Sequence, residues 1–320
     1  MKFSSSKHGS LENLTAISQV KKIVYRYGNK QMATDEVITE QPLQIRLFWS
    51  NCNSSSSHVF SITMRTPGDD EALIIGLLLT EGVIKSIDNI ADISPEYDTE
   101  NHDKNTLVNN LWEVQFTQGF IPQLASIERY QVTYSSCGLC GTTSLKSLEL
   151  KSPPILNTEH AWLSSDIVCQ SPDIMSANQS IFAKTGGAHA AAMFNEQGDL
   201  LDLYEDIGRH NALDKLFGAR LTSKKNNISQ NKPSNESNKT KITINKTIVV
   251  ISSRISFEII QKTVMAGVPV LIAVGAPSDL AIAAAKRFDL TLIGFASQSS
   301  FNIYHGEWRL HSLEDTCQKI

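Results

Sequence analysis

Positive charge is in short supply in this sequence: 29 Lys and Arg face 33 Asp and Glu, for a formal net charge of −4. Proteins built to hold nucleic acid carry a basic excess or a concentrated basic stripe. Nucleic acid is therefore excluded as the main partner, while a local basic pocket for one anionic ligand is allowed. Long apolar runs are missing as well. The longest, 72–79 and 268–274, fall far short of the roughly 20 residues that span a bilayer. The opening MKFSSSKHGS lacks the apolar stretch of a signal peptide, so the chain is expected in the cytoplasm, with no membrane partner. Cysteines are few, odd in number and scattered at 52, 137, 140, 169 and 317, which is not the pattern of a disulfide framework. Neither GxGxxG nor a P-loop occurs, which excludes the standard dinucleotide and nucleoside-triphosphatase sites.

What is present suits a folded soluble protein, 41% apolar and 19% charged, long enough for two domains of roughly 100–200 residues. Residues 22–150 read as a strand-rich domain that ends in a CxxC loop. Its segments 22–27, 43–48, 58–64, 111–116 and 128–134 are short, rich in β-branched or aromatic residues, and partly alternating. One helix interrupts them. Thr66-Pro67-Gly68-Asp69-Asp70-Glu71 offers an Asp N-cap and an acidic first turn, and Gly82 is the natural stop. This helix is apolar nearly all round and is expected to be buried.

Residues 151–310 read as an α/β domain. A helix opens at Ser171 with Pro172 in its first position and ends at Thr185-Gly186-Gly187. A hairpin joins 190–194 to 200–205, and a helix runs from about 210 to 220. Beyond that, apolar strands over 248–252, 268–274 and 290–296 alternate with helices over 255–266 and 278–288. This is the pattern of βαβ units in a largely parallel sheet covered on both faces. The fold class is α/β, or α+β for the chain as a whole. The Asn-, Lys- and Ser-rich stretch 222–246 has too few apolar residues to pack and reads as a disordered insertion. Residues 1–21 and 311–320 read as tails.

Ser135-Ser136-Cys137-Gly138-Leu139-Cys140-Gly141 is the sharpest chemical feature. Its glycines permit a tight turn with accessible thiols, and nearby N–H donors lower a CxxC thiol pKa toward the reactive thiolate. Three functional readings compete with a pair of incidental cysteines. A zinc site would need Cys169 or a histidine to complete four ligands. A thioredoxin-like dithiol would need a helix at the first cysteine, whereas the helical pattern starts near Thr142. A sulfur carrier needs one nucleophilic thiol on a mobile loop. Thr185-Gly186-Gly187-Ala188-His189 ends a helix or admits a ligand, and His189 is a core imidazole or a functional one. Glu205-Asp206-Ile207-Gly208-Arg209-His210-Asn211 mixes capping groups with Arg209 and His210, which suit an anion.

Open parallel sheets bind ligands beyond the carboxyl ends of their strands. Arg254 falls there, suited to a phosphate or to a carboxylate partner. So does Phe301-Asn302-Ile303-Tyr304-His305-Gly306, whose aromatic faces and amide suit a purine base, or which forms an ordinary edge strand.

Together these motifs resemble one family. Arg65 to Glu71 with Thr80-Glu81-Gly82, CGLCG, TGGAH at 185–189, EDIGRHNALDKL at 205–216, SSRISFE at 252–258 and AGVPVLIAVGAPSDLA at 266–281 all take part. In this order, from about residue 22 to 310, they are similar to the formate dehydrogenase accessory sulfurtransferases of the FdhD type. The stretch 222–246 looks like an insertion relative to that family. The resemblance implies a sulfurtransferase of molybdenum cofactor biosynthesis, required for formate dehydrogenase activity. Sulfur from a cysteine desulfurase would be held as a persulfide on Cys137, with Cys140 in support. The acceptor would be the molybdenum bis(molybdopterin guanine dinucleotide) cofactor, a bound substrate and not a permanent group, before its insertion into the formate dehydrogenase catalytic subunit. Phe301, Asn302, Ile303, Tyr304, His305 and Gly306 match the family's guanine-dinucleotide segment, and the strand-end position of Arg254 adds it to them. A homodimer, a cytidine-deaminase-like second domain and no metal site are further implications. Deamination itself is excluded, because the HxE and PCxxC signatures are absent and His189 is followed by Ala190 and Ala191. The alternatives are a non-catalytic cofactor-binding chaperone and a zinc-stapled binding module.

Overall fold

A computed structural model of the chain describes residues 15–51, 54–97, 107–124, 145–146, 148–149, 151–229 and 246–311. Cys137, Cys140, the strand expected over 128–134 and residues 230–245 of the polar stretch lie outside the described residues.

The chain opens with β1 (Ile17–Arg26) and β2 (Asn29–Ile38), a two-stranded antiparallel ribbon. Next come β3 (Gln41–Asn51), β4 (Ser54–Arg65), the helix α1 (Asp70–Thr80), β5 (Ile90–Tyr97) and β6 (Leu107–Phe116). The four strands form a sheet in the order β4-β3-β6-β5, with β3 and β6 parallel. Leu43, Ile45 and Leu47 alternate along β3 and are fully buried, joining Leu73, Ile74 and Leu78 of α1 in one core. The helix is buried as its apolar circumference predicts. Its start differs from the expected cap: Asp69 sits in the left-handed region at φ 57 and makes no side-chain cap bond. Asp70 instead accepts two bonds from buried Arg65, at 2.8 and 2.9 Å.

The second half supplies α2 (Ser165–Ala177), α3 (Ser180–Thr185), β7 (His189–Phe194), β8 (Leu200–Asp206) and α4 (Arg209–Ser229). It closes with β9 (Ile248–Ile251), α5 (Phe257–Met265), β10 (Val270–Ala273), α6 (Asp279–Arg287), β11 (Thr291–Gly294) and β12 (Asn302–His305). The sheet order is β12-β11-β10-β9-β7-β8. Its centre, β9, β10 and β11, is parallel, and every residue in these strands is buried, as continuous apolar runs require. Antiparallel strands flank it on both sides, the β7–β8 hairpin on one and β12 on the other, so the whole sheet is mixed. Helices α4, α5 and α6 cover one face and α2 the other.

Three expectations change. The helix placed at Ser171 begins at Ser165, where Ser164 caps it by accepting from the Asp166 amide at 3.2 Å. Pro172 therefore lies inside α2, and the Ser171 hydroxyl donates to the Val168 carbonyl that proline cannot reach (3.4 Å). Helix α4 runs on to Ser229, so the stretch read as an insertion from 222 begins within a helix. Residues 29–38 and 90–97 are strands with no counterpart in the sequence reading.

The two halves meet where α1 crosses α4, backbone against backbone. A Cβ on Gly76 would lie 1.8 Å from the Asp214 carbonyl oxygen, and one on Gly218 would lie 1.9 Å from that of Ala72. Only glycine fits at either point. No helix among the described residues is long and apolar enough to cross a membrane.

Candidate functional site

Most charged residues of the two long motifs are buried struts. Asp206, fully buried at the end of β8, accepts from the amides of Thr66 (3.0 Å) and Gly208 (2.8 Å) and from Asn211 Nδ2 (3.1 Å). It also pairs at 2.9 Å with Lys215, equally buried. Lys215 Nζ donates to the Thr66 carbonyl and Asn211 Nδ2 to that of Met64, so RTPGDDE and EDIGRHNALDKL form one polar joint between the two larger sheets. Further along α4, Asp214 accepts from Lys262 Nζ at 2.8 and 3.0 Å and from Thr80 Oγ1 at 2.8 Å. Burial works against charge on Lys262, but Asp214 and Glu81 outweigh it and hold its pKa above the ordinary value. Glu205 caps α3, accepting from the amides of Ile181 and Phe182 at 2.8 Å each.

Arg209 and His210 stand outside this network. Arg209 is exposed and has no carboxylate partner among the described residues. His210 Nε2 lies 3.2 Å from Glu258 Oε2 and 3.5 Å from Ser256 Oγ. Burial, then Lys262 and Arg209, push its pKa down to about 4, so near pH 7 a neutral imidazole donates to Glu258 and no ion pair forms. His189, at the head of β7, has Nδ1 3.5 Å from Ser252 Oγ, and burial and Arg209 lower its pKa. Residues of TGGAH, GRH and SSRIS thus meet beyond the carboxyl end of β9. Each was visible in the sequence, but their meeting depends on β7 entering antiparallel beside β9, which no local pattern shows.

A pH prediction follows from His210. It is protonated below about 6.5 in the unfolded chain and only below about 4 in the folded one, so acidification across that window favours unfolding. Between pH 7 and about pH 4.5 the wild type is expected to lose roughly 2–3 kcal/mol more stability than His210→Gln, by urea unfolding at both pH values. Equal losses would mean another group controls that window.

Arg254 lies just past β9, exposed and without a carboxylate partner among the described residues. Gly275 holds its backbone close: a Cβ there would lie 2.9 Å from the Arg254 Cα and from the Ser253 carbonyl oxygen. The Ile255 amide donates to Ala276 at 3.0 Å, so the loops after β9 and β10 stack as a tier beyond the sheet. Asn302 pairs with Gly294 at the carboxyl end of β11, and Phe301 and Asn302 therefore share this rim with Arg254. The rest of the segment runs away from it. His305 pairs with Leu292, and the Gly306 carbonyl accepts from Thr291 Oγ1 at 2.8 Å, at the opposite end of β11. The aromatics also part. Phe301 packs on the α2 side of the sheet and Tyr304 on the side of α4, α5 and α6, so a single base cannot lie against both. Ile303 is partly exposed on this edge strand. Cys169, a possible fourth zinc ligand on sequence grounds, sits half-buried in α2.

Fold and rim together define an α/β protein with two exposed arginines at strand ends, Arg254 after β9 and Arg209 after β8, neither with a carboxylate partner among the described residues, and with its main sheet tied to a smaller one by buried polar contacts. The model of the FdhD/NarQ family matches residues 38–311, and the chain belongs to that family. It is 38% identical to a protein of Streptomyces avermitilis named sulfur carrier protein FdhD, over 92% of this chain and 96% of that one. A protein of the same name from Sulfurisphaera tokodaii is 35% identical over 89% and 97%. Among solved structures, a protein assigned as a formate dehydrogenase accessory protein from Desulfotalea psychrophila superposes with a TM-score of 0.63 at 21% identity. That match covers 92% of this chain and 99% of the other, and it shows a shared fold.

Proposed function

We propose that the chain is a cytoplasmic sulfurtransferase that serves formate dehydrogenase. It takes sulfur from a cysteine desulfurase as a persulfide on Cys137 and passes it to the molybdenum bis(molybdopterin guanine dinucleotide) cofactor before insertion into the enzyme's catalytic subunit. One observation carries the reading: a chain 38% identical to a named sulfur carrier also has the glycine-flanked pair Cys137 and Cys140. In the loading step the Cys137 thiolate attacks the terminal sulfur of the donor persulfide. The donor S–S bond breaks, its cysteine leaves as thiolate, and an S–S bond forms on Cys137 without net oxidation. A reactive thiol of this kind suits a reducing compartment.

The cofactor is the cargo, and its phosphates give cations at strand ends a purpose in an otherwise acidic protein. Arg254 would meet phosphate and the Phe301–Asn302 end of the edge strand would meet guanine. Titration of GDP into the purified protein tests this half of the reading. Arg254→Ala is expected to weaken binding by roughly 1.5–3 kcal/mol, the worth of a charged hydrogen bond, and to flatten its salt dependence. Phe301→Ala should cost affinity with no change in salt slope. Tyr304→Ala, on the opposite face, should do little if Phe301 is the aromatic used. Equal affinity in all three variants and the wild type would place the nucleotide elsewhere.

A further inference from the structure

Cys137 belongs to a segment whose two ends are fixed in different halves of the molecule. Leu124, the last residue described before it, packs on the core of the four-stranded sheet. Leu145, the first described after it, packs on the core of the six-stranded sheet, and Leu148 is fully buried. Ion pairs then hold the returning chain on both sides. Lys151 Nζ lies 2.7 Å from Glu81 Oε2 just past α1, and Glu149 Oε1 lies 2.6 Å from Arg287 Nε at the end of α6. Leu156 is buried again. This stretch is a fixed root for the segment that carries the cysteines.

Ile155 does not share in that burial: it is 97% exposed, although Leu156 beside it is buried. With Pro153, Pro154 and Phe288 it lines a cavity of about 350 Å³, and Arg287 and Asp289 supply charge of both signs at its walls. An apolar hollow with a charged rim on fixed backbone has the anatomy of an anchor pocket between proteins, where one inserted apolar side chain is shielded from water.

The length of the chain says which partner fits. Eight residues separate Cys137 from Leu145, so by covalent geometry Cys137 lies within about 28 Å of Leu145. Glu149, four residues further on, already lines the cavity. A standard protein interface covers roughly 800 Å² on each partner, about 30 Å across, so one partner can fill the cavity and reach Cys137 at once. The cavity also lies where α6 turns into β11, at the amino end of the parallel strands, whereas Arg254 and Phe301 lie at the carboxyl ends. A protein docked here leaves the proposed cofactor rim free.

We propose that this cavity docks the sulfur donor: an apolar side chain of the cysteine desulfurase inserts between Ile155 and Phe288, and its polar neighbours meet Arg287 and Asp289. The root then holds the donor's persulfide within range of Cys137. The inference rests on the sulfur reading above and adds the surface through which loading operates.

Loading of the full chain from two sulfur sources tests it. Glutathione persulfide needs no docking surface and delivers sulfur by the same exchange, with glutathione leaving as thiolate. A cysteine desulfurase must dock first. In Ile155→Asp, the concentration of this chain that half-saturates the desulfurase is expected to rise at least about tenfold, with the rate at saturation little changed. Arg287→Ala should give a smaller rise, and Ile155→Val should stay near the wild type. Loading by glutathione persulfide, the circular dichroism spectrum and activation of formate dehydrogenase by preloaded protein should match the wild type in all three. An unchanged half-saturation in Ile155→Asp would overturn the docking site. So would an equal loss with glutathione persulfide, which would place the effect at Cys137 itself. Normal loading with failed activation of formate dehydrogenase would assign the cavity to the acceptor and overturn the proposal as well. A wild type that takes sulfur from neither source would overturn the sulfur reading, and this inference with it.

Discussion

Replacing Cys137 by serine is expected to abolish sulfur loading by a cysteine desulfurase and to reduce formate dehydrogenase activity to background in cells that depend on this chain. A hydroxyl nearly matches the thiol in size but is a poor nucleophile near pH 7 and cannot hold a sulfane sulfur, so the chemistry fails while the fold persists. Cys140→Ser should have a smaller or condition-dependent effect, because one thiol suffices to carry sulfur. The contrast matters more than either value. A zinc staple would need both cysteines equally, and a non-catalytic chaperone would need neither for loading. Activity and loading measured side by side, with circular dichroism as the control for folding, separate the three cases.

The second large effect concerns stability. Lys262→Met is expected to destabilise the protein by about 3–5 kcal/mol, because it leaves the buried Asp214 carboxylate without its counter-ion. Removing both charges, as Lys262→Met with Asp214→Leu, should restore much of that loss, since the cost lies in the unpaired charge more than in the missing attraction. Lys246→Ala is the contrast. Its pair with Glu159 is short at 2.6 Å but partly solvated, and it should cost less than about 1 kcal/mol. Urea unfolding of the three variants beside the wild type decides it. A loss below 1 kcal/mol for Lys262→Met would show that water or another group replaces the ammonium. Because Lys262, Asp214, Thr80 and Glu81 tie α5 and α4 to α1, this stability also sets how firmly the two halves are held together.

The elements legible in the sequence are those with an inside. The strands β9, β10 and β11 are buried on both faces, and α1 is buried nearly all round, so their apolar runs could be read directly. The strand β2 has no buried face: its residues are exposed or half-exposed in a ribbon, and no alternation marks it. Pro172 misled because proline usually starts a helix. The true start, Ser164 with Asp166 two residues on, is an equally local signal, and the Ser171 hydroxyl lets the helix pass through the proline. The site was legible as residue types and not as partnerships. Within 205–216 the sequence offered capping or anion binding as rivals, and the structure divides them. Glu205, Asp206, Asn211, Asp214 and Lys215 bond inward, whereas Arg209 faces solvent beside a neutral His210. The segment 301–306 lies on an edge strand that passes from one end of the sheet to the other, so only its first residues share the rim with Arg254. That depends on the antiparallel entry of β12, which no single-strand pattern encodes.

The most direct measurement is peptide mass spectrometry of the wild-type protein after incubation with an active cysteine desulfurase and cysteine. The account predicts one added sulfur atom on the peptide that contains Cys137, removable by a thiol reductant and absent from the peptide that contains Cys169. An unmodified Cys137 peptide, with the desulfurase shown to be turning over in the same tube, would contradict it.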